Sequence, residues 1–585
     1  EYTFDKNIYD YHWYTGQYDY TTIQGGSSKS FVDDYLRKYK QHTNYNSINV
    51  YATYNKDFGN HHFKVMAGFN QESSYQETLD TYSYNQAVLD VPAMSSGTGT
   101  IKATDSYSEY AIRGGFFRVN YNYLDKYLLE VNGRYDGSSK FPKSSRFGFF
   151  PSVSAGWQIA QERFMNSTRH WLDGLKLRAS YGVIGNQNIN PYTFTPSMSV
   201  NNKATSWILD DTYVTSISSL PALVSQNFTW EKVGTINVGL DVNLFNNRLS
   251  GAFEWYQRNT NGMLAPGVQL PAVVGASAPY QNTADMRTRG WELSLNWRDQ
   301  IGKVGYRIGF NLSDYKSEII KYDDNAATKL LSSYYPGQTL GEIWGYVVDG
   351  YYTVDDFVDT SSWQLKEGVT SINGYNVRPG DVKFKNLRDD DTSTNVITSG
   401  DNTFDNPGDR KVIGNTTPRY QYGINLGMNY AGFDLNVILQ GTGKRDYWIS
   451  NVLTFPMNGD NFVPLFEGLS DYWMPKDPDN GDWSAVNPNA KYPRIYGNRG
   501  NSGSNLRQSD KYLSDASYLR IKNITLSYKL PKKWVNQIFL NQMKAFVSIE
   551  NVATFTSLPS GIDQKRIAWN HPAFRTVSFG VNITL

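Results

Sequence analysis

The chain reads as an all-β protein, a transmembrane antiparallel β-barrel, and three observations carry that reading. Its last ten residues alternate without a fault, with Val577, Phe579, Val581, Ile583 and Leu585 on one face and Thr576, Ser578, Gly580, Asn582 and Thr584 on the other. Successive side chains of a strand point to opposite faces. This strand therefore has one apolar and one small, polar side, as a wall between lipid and an aqueous lumen requires. Second, the chain is 15% aromatic, with Tyr 44, Trp 15 and Phe 29, yet its mean hydropathy is -0.54. Only alternate residues of a membrane barrel meet lipid, and aromatic girdles mark both interfaces, so aromatic content rises while mean hydropathy stays low. Third, the connections between strands alternate short and long from Ile48 to the end.

Taken in order, residues 1–45 are Tyr-rich and end in the charged stretch Asp33 to Lys40, with one strand expected near Tyr2 to Trp13. Ile48, Val50, Ala52 and Tyr54 alternate, a turn follows through Asn55 to Asn60, and Phe63, Val65, Ala67 and Phe69 resume the pattern as a hairpin. Phe117 to Tyr123 and Tyr127 to Tyr135 form a second hairpin across Leu124-Asp125-Lys126. Val153, Ala155, Trp157 and Ile159 begin the next strand, a helical stretch is expected around Gln161 to Trp171, and Leu175 to Val183 follow. Ile236 to Leu244 and Leu249 to Trp255 flank Asn246-Asn247, with Thr235, Asn237, Asp241 and Asn243 on the opposite face. Trp291 to Trp297 pair with Tyr306 to Leu312, and Ile424 to Tyr430 with Phe433 to Leu439 across Ala431-Gly432. Ile524 to Tyr528 lead through a helix-like turn, Pro531 to Phe539, to Ala545, Val547 and Ile549, and then to the final strand.

The long connections fall near residues 72–110, 184–228, 259–286, 322–418 and 445–512. A soluble sandwich has no reason to segregate loop length in this way, whereas outer-membrane barrels have short periplasmic turns and long extracellular loops. The same parity directs the last strand inward, to end on the periplasmic side. The pattern predicts about sixteen strands, which leaves a complete porin and part of a larger barrel both open.

Composition excludes several classes of function. The charge is +1, with 56 basic and 55 acidic residues mixed along the chain, so there is no basic stripe of the kind that binds nucleic acid. Zero cysteines remove disulfides, thiolate catalysis and Cys-zinc sites. No apolar run approaches the roughly 18 residues of a membrane helix, so spanning falls to strands. No secretory signal opens the chain at Glu1, and a processed or partial polypeptide is expected.

Several stretches resemble the SusC-like (SusC/RagA) family of TonB-dependent outer-membrane transporters. Tyr127-Leu128-Leu129-Glu130-Val131, Arg134-Tyr135-Asp136-Gly137-Ser138-Ser139-Lys140-Phe141 and Phe150-Pro151-Ser152-Val153-Ser154-Ala155-Gly156-Trp157 are similar to one barrel segment of the family, continued by Leu175 to Gly182. Gly345 to Gly350, Pro379 to Phe384, Val412 to Pro418 and Glu550 to Thr556 resemble further signatures in the same order. The likeness spans at least residues 116–585. It implies a barrel of about 22 strands, of which residues 1–585 are the C-terminal part with long extracellular loops, blocked by an N-terminal plug that is expected outside this chain together with roughly six strands, and with a TonB-contacting segment before the plug. It also implies a SusD-like surface lipoprotein as a lid, and uptake of oligosaccharides or glycans, with peptide import as the near alternative.

The chain departs from the family at Leu585, where barrels commonly end in Phe, and after Asp381, where an acidic turn reads Asp389-Asp390-Asp391-Thr392-Ser393-Thr394-Asn395 without the turn glycine. Oxygen clusters suit calcium, so Asp389, Asp390 and Asp391 are the candidate metal ligands. Gly441-Thr442-Gly443-Lys444 fails the phosphate-loop pattern at both ends, and neighbours such as His61-His62 point to opposite faces of a strand. No nucleophile elbow occurs, so an enzyme is not expected. Binding chemistry is better supplied: the long loops carry Trp207, Tyr213, Trp363, Tyr447, Trp448, Trp473 and Trp483 among Asn, Asp and Arg residues. Aromatic faces stack on sugar rings while amides and acids hydrogen-bond hydroxyls; the other reading of each aromatic is packing of loop against loop. An adhesin that binds without translocating and a porin are the readings from other classes.

Overall fold

Period-two alternation is satisfied only by strands, and in lipid every backbone polar group of a strand must be paired by a neighbour. The computed structural model follows that logic. It describes residues 2–13, 35–88, 91–197, 200–201, 208–209, 212–213, 217–218, 222–225, 228–268, 270–325, 327–331, 334–388, 395–449, 467–496, 504–558, 562 and 574–584. Sixteen long strands belong to one sheet whose order is the order of the chain. They are β1 (Tyr2–Trp13), β2 (Tyr35–Phe58), β3 (His61–Tyr84), β4 (Ile101–Tyr123), β5 (Tyr127–Ser138), β6 (Phe147–Gln158), β7 (Leu172–Asn186) and β8 (Glu231–Leu244). There follow β9 (Leu249–Pro266), β10 (Tyr280–Ile301), β11 (Val304–Tyr322), β12 (Arg419–Tyr430), β13 (Phe433–Lys444), β14 (Tyr518–Lys529), β15 (Gln542–Thr556) and β16 (Thr576–Thr584). The strand expected near Tyr2 to Trp13 is β1, paired with β2. The last strand pairs with β15 from Gln542↔Thr584 to Glu550↔Thr576. Among the described residues no helix is long and apolar enough to cross a membrane.

The chain falls into two compact units: Glu1–Ala155 with Ser180–Gly234 and Asn261–Asn282, and Gly156–Ala179 with Thr235–Thr260 and Thr283–Leu585. In the first, Val50, Val65, Phe69, Phe117 and Leu129 stand exposed on one face, and polar side chains interlock on the other. Arg118 Nε donates to Asn132 Oδ1 at 2.7 Å, and Asn132 and Asn120 both donate to Glu130. In the second, Ile236, Val238, Leu240, Phe253 and Trp255 form the exposed apolar face, while Arg178 pairs with Asp241 and Glu254, and Asn237 donates to Glu254 at 2.9 Å. An exposed apolar stripe backed by paired ions is what a wall between lipid and water needs.

The short turns are built from residues that tolerate left-handed backbone. Leu124 and Asp125 take φ 57° and 55° in a three-residue connection, and Phe245, Asn246 and Asn247 take 59°, 59° and 58° in a four-residue one, where left-handed residues turn the chain back on itself. In Ala431-Gly432 the second residue has φ 92°, where only glycine is unstrained.

Three expectations are corrected. The connections expected over 72–110 and 259–286 are mostly strand, because β3 runs to Tyr84 and β4 begins at Ile101, while β9 runs to Pro266 and β10 begins at Tyr280. Beyond the lipid both faces of a strand meet water, so apolar alternation is lost while the ladder continues, as in the pairing Ser83↔Ile101. The strand placed at Val153 begins at Phe147, and the helical stretch at Gln161 to Trp171 is two short 3₁₀ segments, Ile159–Gln161 and Arg163–Thr168. The helix-like turn after β14 is confirmed as Lys532–Val535 followed by Asn536–Ile538.

Candidate functional site

Two long connections of the second unit, after β11 and after β13, fold together into a platform. Short ladders knit it: Glu342–Tyr346 with Arg410–Asn415, Val348–Tyr351 with Val382–Phe384, and Pro475–Asp477 with Asp482–Ala485. Its core holds Tyr352, Phe357, Val382, Phe384 and Ile397, with Trp363 and Tyr351 packed against it. Burial of apolar and aromatic area, at roughly 25 cal/mol per Å², is what lets so polar a loop hold one shape. Burial also pushes the Tyr352 hydroxyl up to about 12, so it stays protonated and donates to Thr370 O at 2.6 Å.

The centre of the platform is Asp381, 2% exposed. Its carboxylate accepts from Tyr496 Oη at 2.7 Å, Asn505 Nδ2 at 2.9 Å and Arg378 N at 2.8 Å, while Asn505 Oδ1 accepts from Val382 N at 2.8 Å. One side chain thus ties the segment around Pro379 to Phe384 to the segment around Arg494 to Asn505. Burial raises its carboxyl above the usual range, against the pull of those donors and of Arg494. The preceding Gly380 has φ 90°, and a Cβ there would enter the ring of Trp473, so glycine is required on both counts.

Above this centre lies a cleft of about 620 Å³ lined by Asp349, Tyr351, Thr353, Asp355, Trp473, Asp482, Trp483 and Ser484, among others. Trp483 is carried by the tight hairpin Pro475–Asp477 to Asp482–Ala485, whose turn uses Gly481 at φ 81°. Its ring meets Trp363 edge-on, with centroids 5.0 Å apart and planes at 81°, and the Arg494 guanidinium lies 5.0 Å over it. Trp473 forms a buried wall, 3% exposed. Two hydrogen bonds from Ser484, through N at 3.0 Å and Oγ at 2.5 Å, hold the Asp482 carboxyl below its usual range. Rigid aromatic walls with a few oriented polar groups are the general make-up of a small-ligand site.

The structure brings Trp473, Trp483 and Trp363 together and leaves the other candidates apart from them. Trp448 packs with Leu469, Tyr492 and Tyr512, and Tyr447 with Ile449, Ala516 and Leu558, because both sit on the strand Asp446–Trp448 that pairs with Leu513–Asp515. Tyr213 belongs to a two-residue ladder with Ile208–Leu209, its side chain outside the described residues, as are Trp207 and the acidic trio Asp389, Asp390 and Asp391. Elsewhere among the described residues no group of three His, Asp or Glu is placed to hold a metal ion. His61 and His62 turn to different partners, Tyr121 Oη at 2.9 Å and Asp57 Oδ1 at 2.7 Å. Sequence reasoning missed Asp349, Tyr351, Asp355 and Asp482 as cleft residues. Gly345 to Gly350 and Pro379 to Phe384 stood out as signatures, and their conformational demands are the signal that could have located the platform.

The chain matches a family model described as TonB dependent receptor-like, beta-barrel, over residues 1–552. It is 28% identical to TonB-dependent receptor P3 of Formosa agariphila over 564 residues, covering 93% of this chain and 51% of that protein. It is 27% identical to TonB-dependent receptor SusC of Bacteroides thetaiotaomicron, covering 84% of this chain and 45% of that protein. The chain thus spans about half the length of the curated relatives it matches. Among solved structures it is similar in fold to the RagAB peptide importer in the open-open state, with a TM-score of 0.74 at 22% identity, covering 94% of this chain and 56% of that one. Ordered sequence signatures, a sixteen-stranded antiparallel wall and these likenesses agree, and the chain belongs to the TonB-dependent receptor-like β-barrel family of the outer membrane.

Proposed function

We propose that this barrel serves in the energy-coupled import of oligosaccharides across the outer membrane, with energy delivered through TonB and a SusD-like surface lipoprotein closing the mouth. The observation that carries the choice of cargo is the cleft, where Trp483, backed by the buried Trp473, stands beside the hydroxyls of Thr353 and Ser484 and three carboxylates. Aromatic faces offer stacking to the apolar face of a sugar ring, and the oxygens accept from its hydroxyls. A transporter of this kind performs no covalent chemistry on its cargo.

Peptide import is the second reading. It is favoured by the likeness to a structure described as a peptide importer and by the carboxylates at the cleft. Uptake of labelled oligosaccharides and of labelled oligopeptides by cells expressing the full transporter separates the two. Oligosaccharide uptake that stops with a protonophore supports the proposal, and uptake of peptides alone transfers it to the second reading. Uptake insensitive to the protonophore would identify a porin, and surface binding without uptake an adhesin; either result overturns the import proposal.

A further inference from the structure

The cleft residues carry charge of one sign only. Asp349, Asp355 and Asp482 line it, and no Lys or Arg does. The basic groups nearby are engaged from outside the lining: Lys383 is paired with Asp356 at 3.2 Å, Lys385 reaches Asp349 at 3.9 Å, Lys511 lies 4.4 Å over the ring of Tyr351, and Arg378 and Arg494 are stacked on Trp363 and on Trp483 with Tyr496. Lys476 acts on Asp482 electrostatically from the same hairpin. Lys385 and Lys476 temper Asp349 and Asp482 without entering the lining, so the charge facing the cleft stays negative, and Asp355 and Asp482 are the two carboxylates whose removal tests it. Asp482 uses Oδ1 on Ser484, leaving Oδ2 for a ligand.

We propose that this cleft is a sugar subsite that discriminates by charge, taking sugars that are uncharged or carry an ammonium group and rejecting uronates and sulfated sugars. The proposal rests on the import reading and narrows its cargo. Trp483 supplies the stacking surface for every class, so ring shape sets the shared part of the affinity and the carboxylates set the order among classes. A carboxylate about 4 Å from an ammonium in water contributes on the order of a five-fold gain in affinity, and the same factor of loss against an anion. Two such groups give about twenty-five-fold in each direction at low salt, and the spread contracts as ionic strength rises.

The test is isothermal titration of the purified full-length transporter with tetramers of glucosamine, glucose and galacturonic acid. The variants are Trp483→Ala and the double change Asp355→Asn with Asp482→Asn. Both carboxylates are on the surface, and asparagine keeps the carbonyl acceptor for Ser484, so the platform is retained. Affinity in the order glucosamine, glucose, galacturonic acid supports the proposal when the double variant and raised salt both compress that order and Trp483→Ala weakens all three. Equal affinity for the three tetramers, or an order that survives the double variant, overturns it. If that happens while energised oligosaccharide uptake persists, only the subsite falls. If no tetramer binds and none is taken up, the import reading falls with it.

Discussion

Replacing Asp381 by alanine tests whether one buried carboxylate holds the platform together. The change removes the acceptor of Tyr496 Oη, Asn505 Nδ2 and Arg378 N. Each donor left unsatisfied in a buried setting costs about 1–3 kcal/mol. With relaxation and water entry the sum is on the order of 3–6 kcal/mol of local stability, or roughly two to four powers of ten in the opening equilibrium. The opened segment includes Gly380 N bonded to Tyr352 O, Val382 N bonded to Asn505 Oδ1, and Arg494 N bonded to Gly380 O. Amide hydrogen exchange of the purified protein in micelles, read by mass spectrometry, should show faster exchange at these amides by that factor. Exchange along Ile236 to Leu244 should be unchanged, because a ladder in the wall does not depend on the platform. Unchanged protection around Val382, or an equal loss in the wall, would refute the reasoning.

Gly380→Ala should displace Trp473, since the position has φ 90° and its Cβ would enter that ring. The cost is about 1–3 kcal/mol, measured as a lower melting point of the platform with cargo affinity reduced. Leu240→Arg puts a charge on the exposed apolar face of β8. It should cost about 2–4 kcal/mol in refolding into bilayers, against little effect at the water-facing Asn243, and equal costs at the two positions would contradict the assigned faces. The raised carboxyl of Asp381 fixes the sign of a pH dependence. The folded state binds the proton more tightly than the unfolded one, so this contribution is fully present below the ordinary value of 3.8 and is lost as pH rises through the raised folded value. Exchange at Val382, corrected for intrinsic rate, should quicken across that window, and Asp381→Asn should flatten the trend.

The wall was legible because lipid imposes a rule on alternate residues, and Val577 to Leu585 or Ile236 to Leu244 obey it visibly. Where the rule lapses, legibility ends. The outer halves of β3 and β4, from Gln71 to Tyr84 and from Ile101 to Ile112, alternate in nothing obvious, and their pairing comes from the hairpin below continuing upward. The platform was legible only in pieces. Its aromatics could be counted, but which of them meet is decided by long-range ties such as Asp381 to Asn505, 124 residues apart. Trp448 and Trp483 look alike in sequence, and only the ladder at Asp446–Trp448 sends one into packing.

The length of β2 and β3 has a mechanical meaning. Twenty-four residues in each, paired from Phe58↔His61 to Tyr35↔Tyr84, extend about 80 Å at roughly 3.3 Å per residue. Inclined by about 40°, such a strand rises about 60 Å, more than twice the roughly 25 Å apolar band it crosses. The excess is a hydrogen-bonded parapet standing clear of the headgroups. On this flank the wall therefore ends in paired strand far above the membrane plane, and the height of that rim is set by strand length.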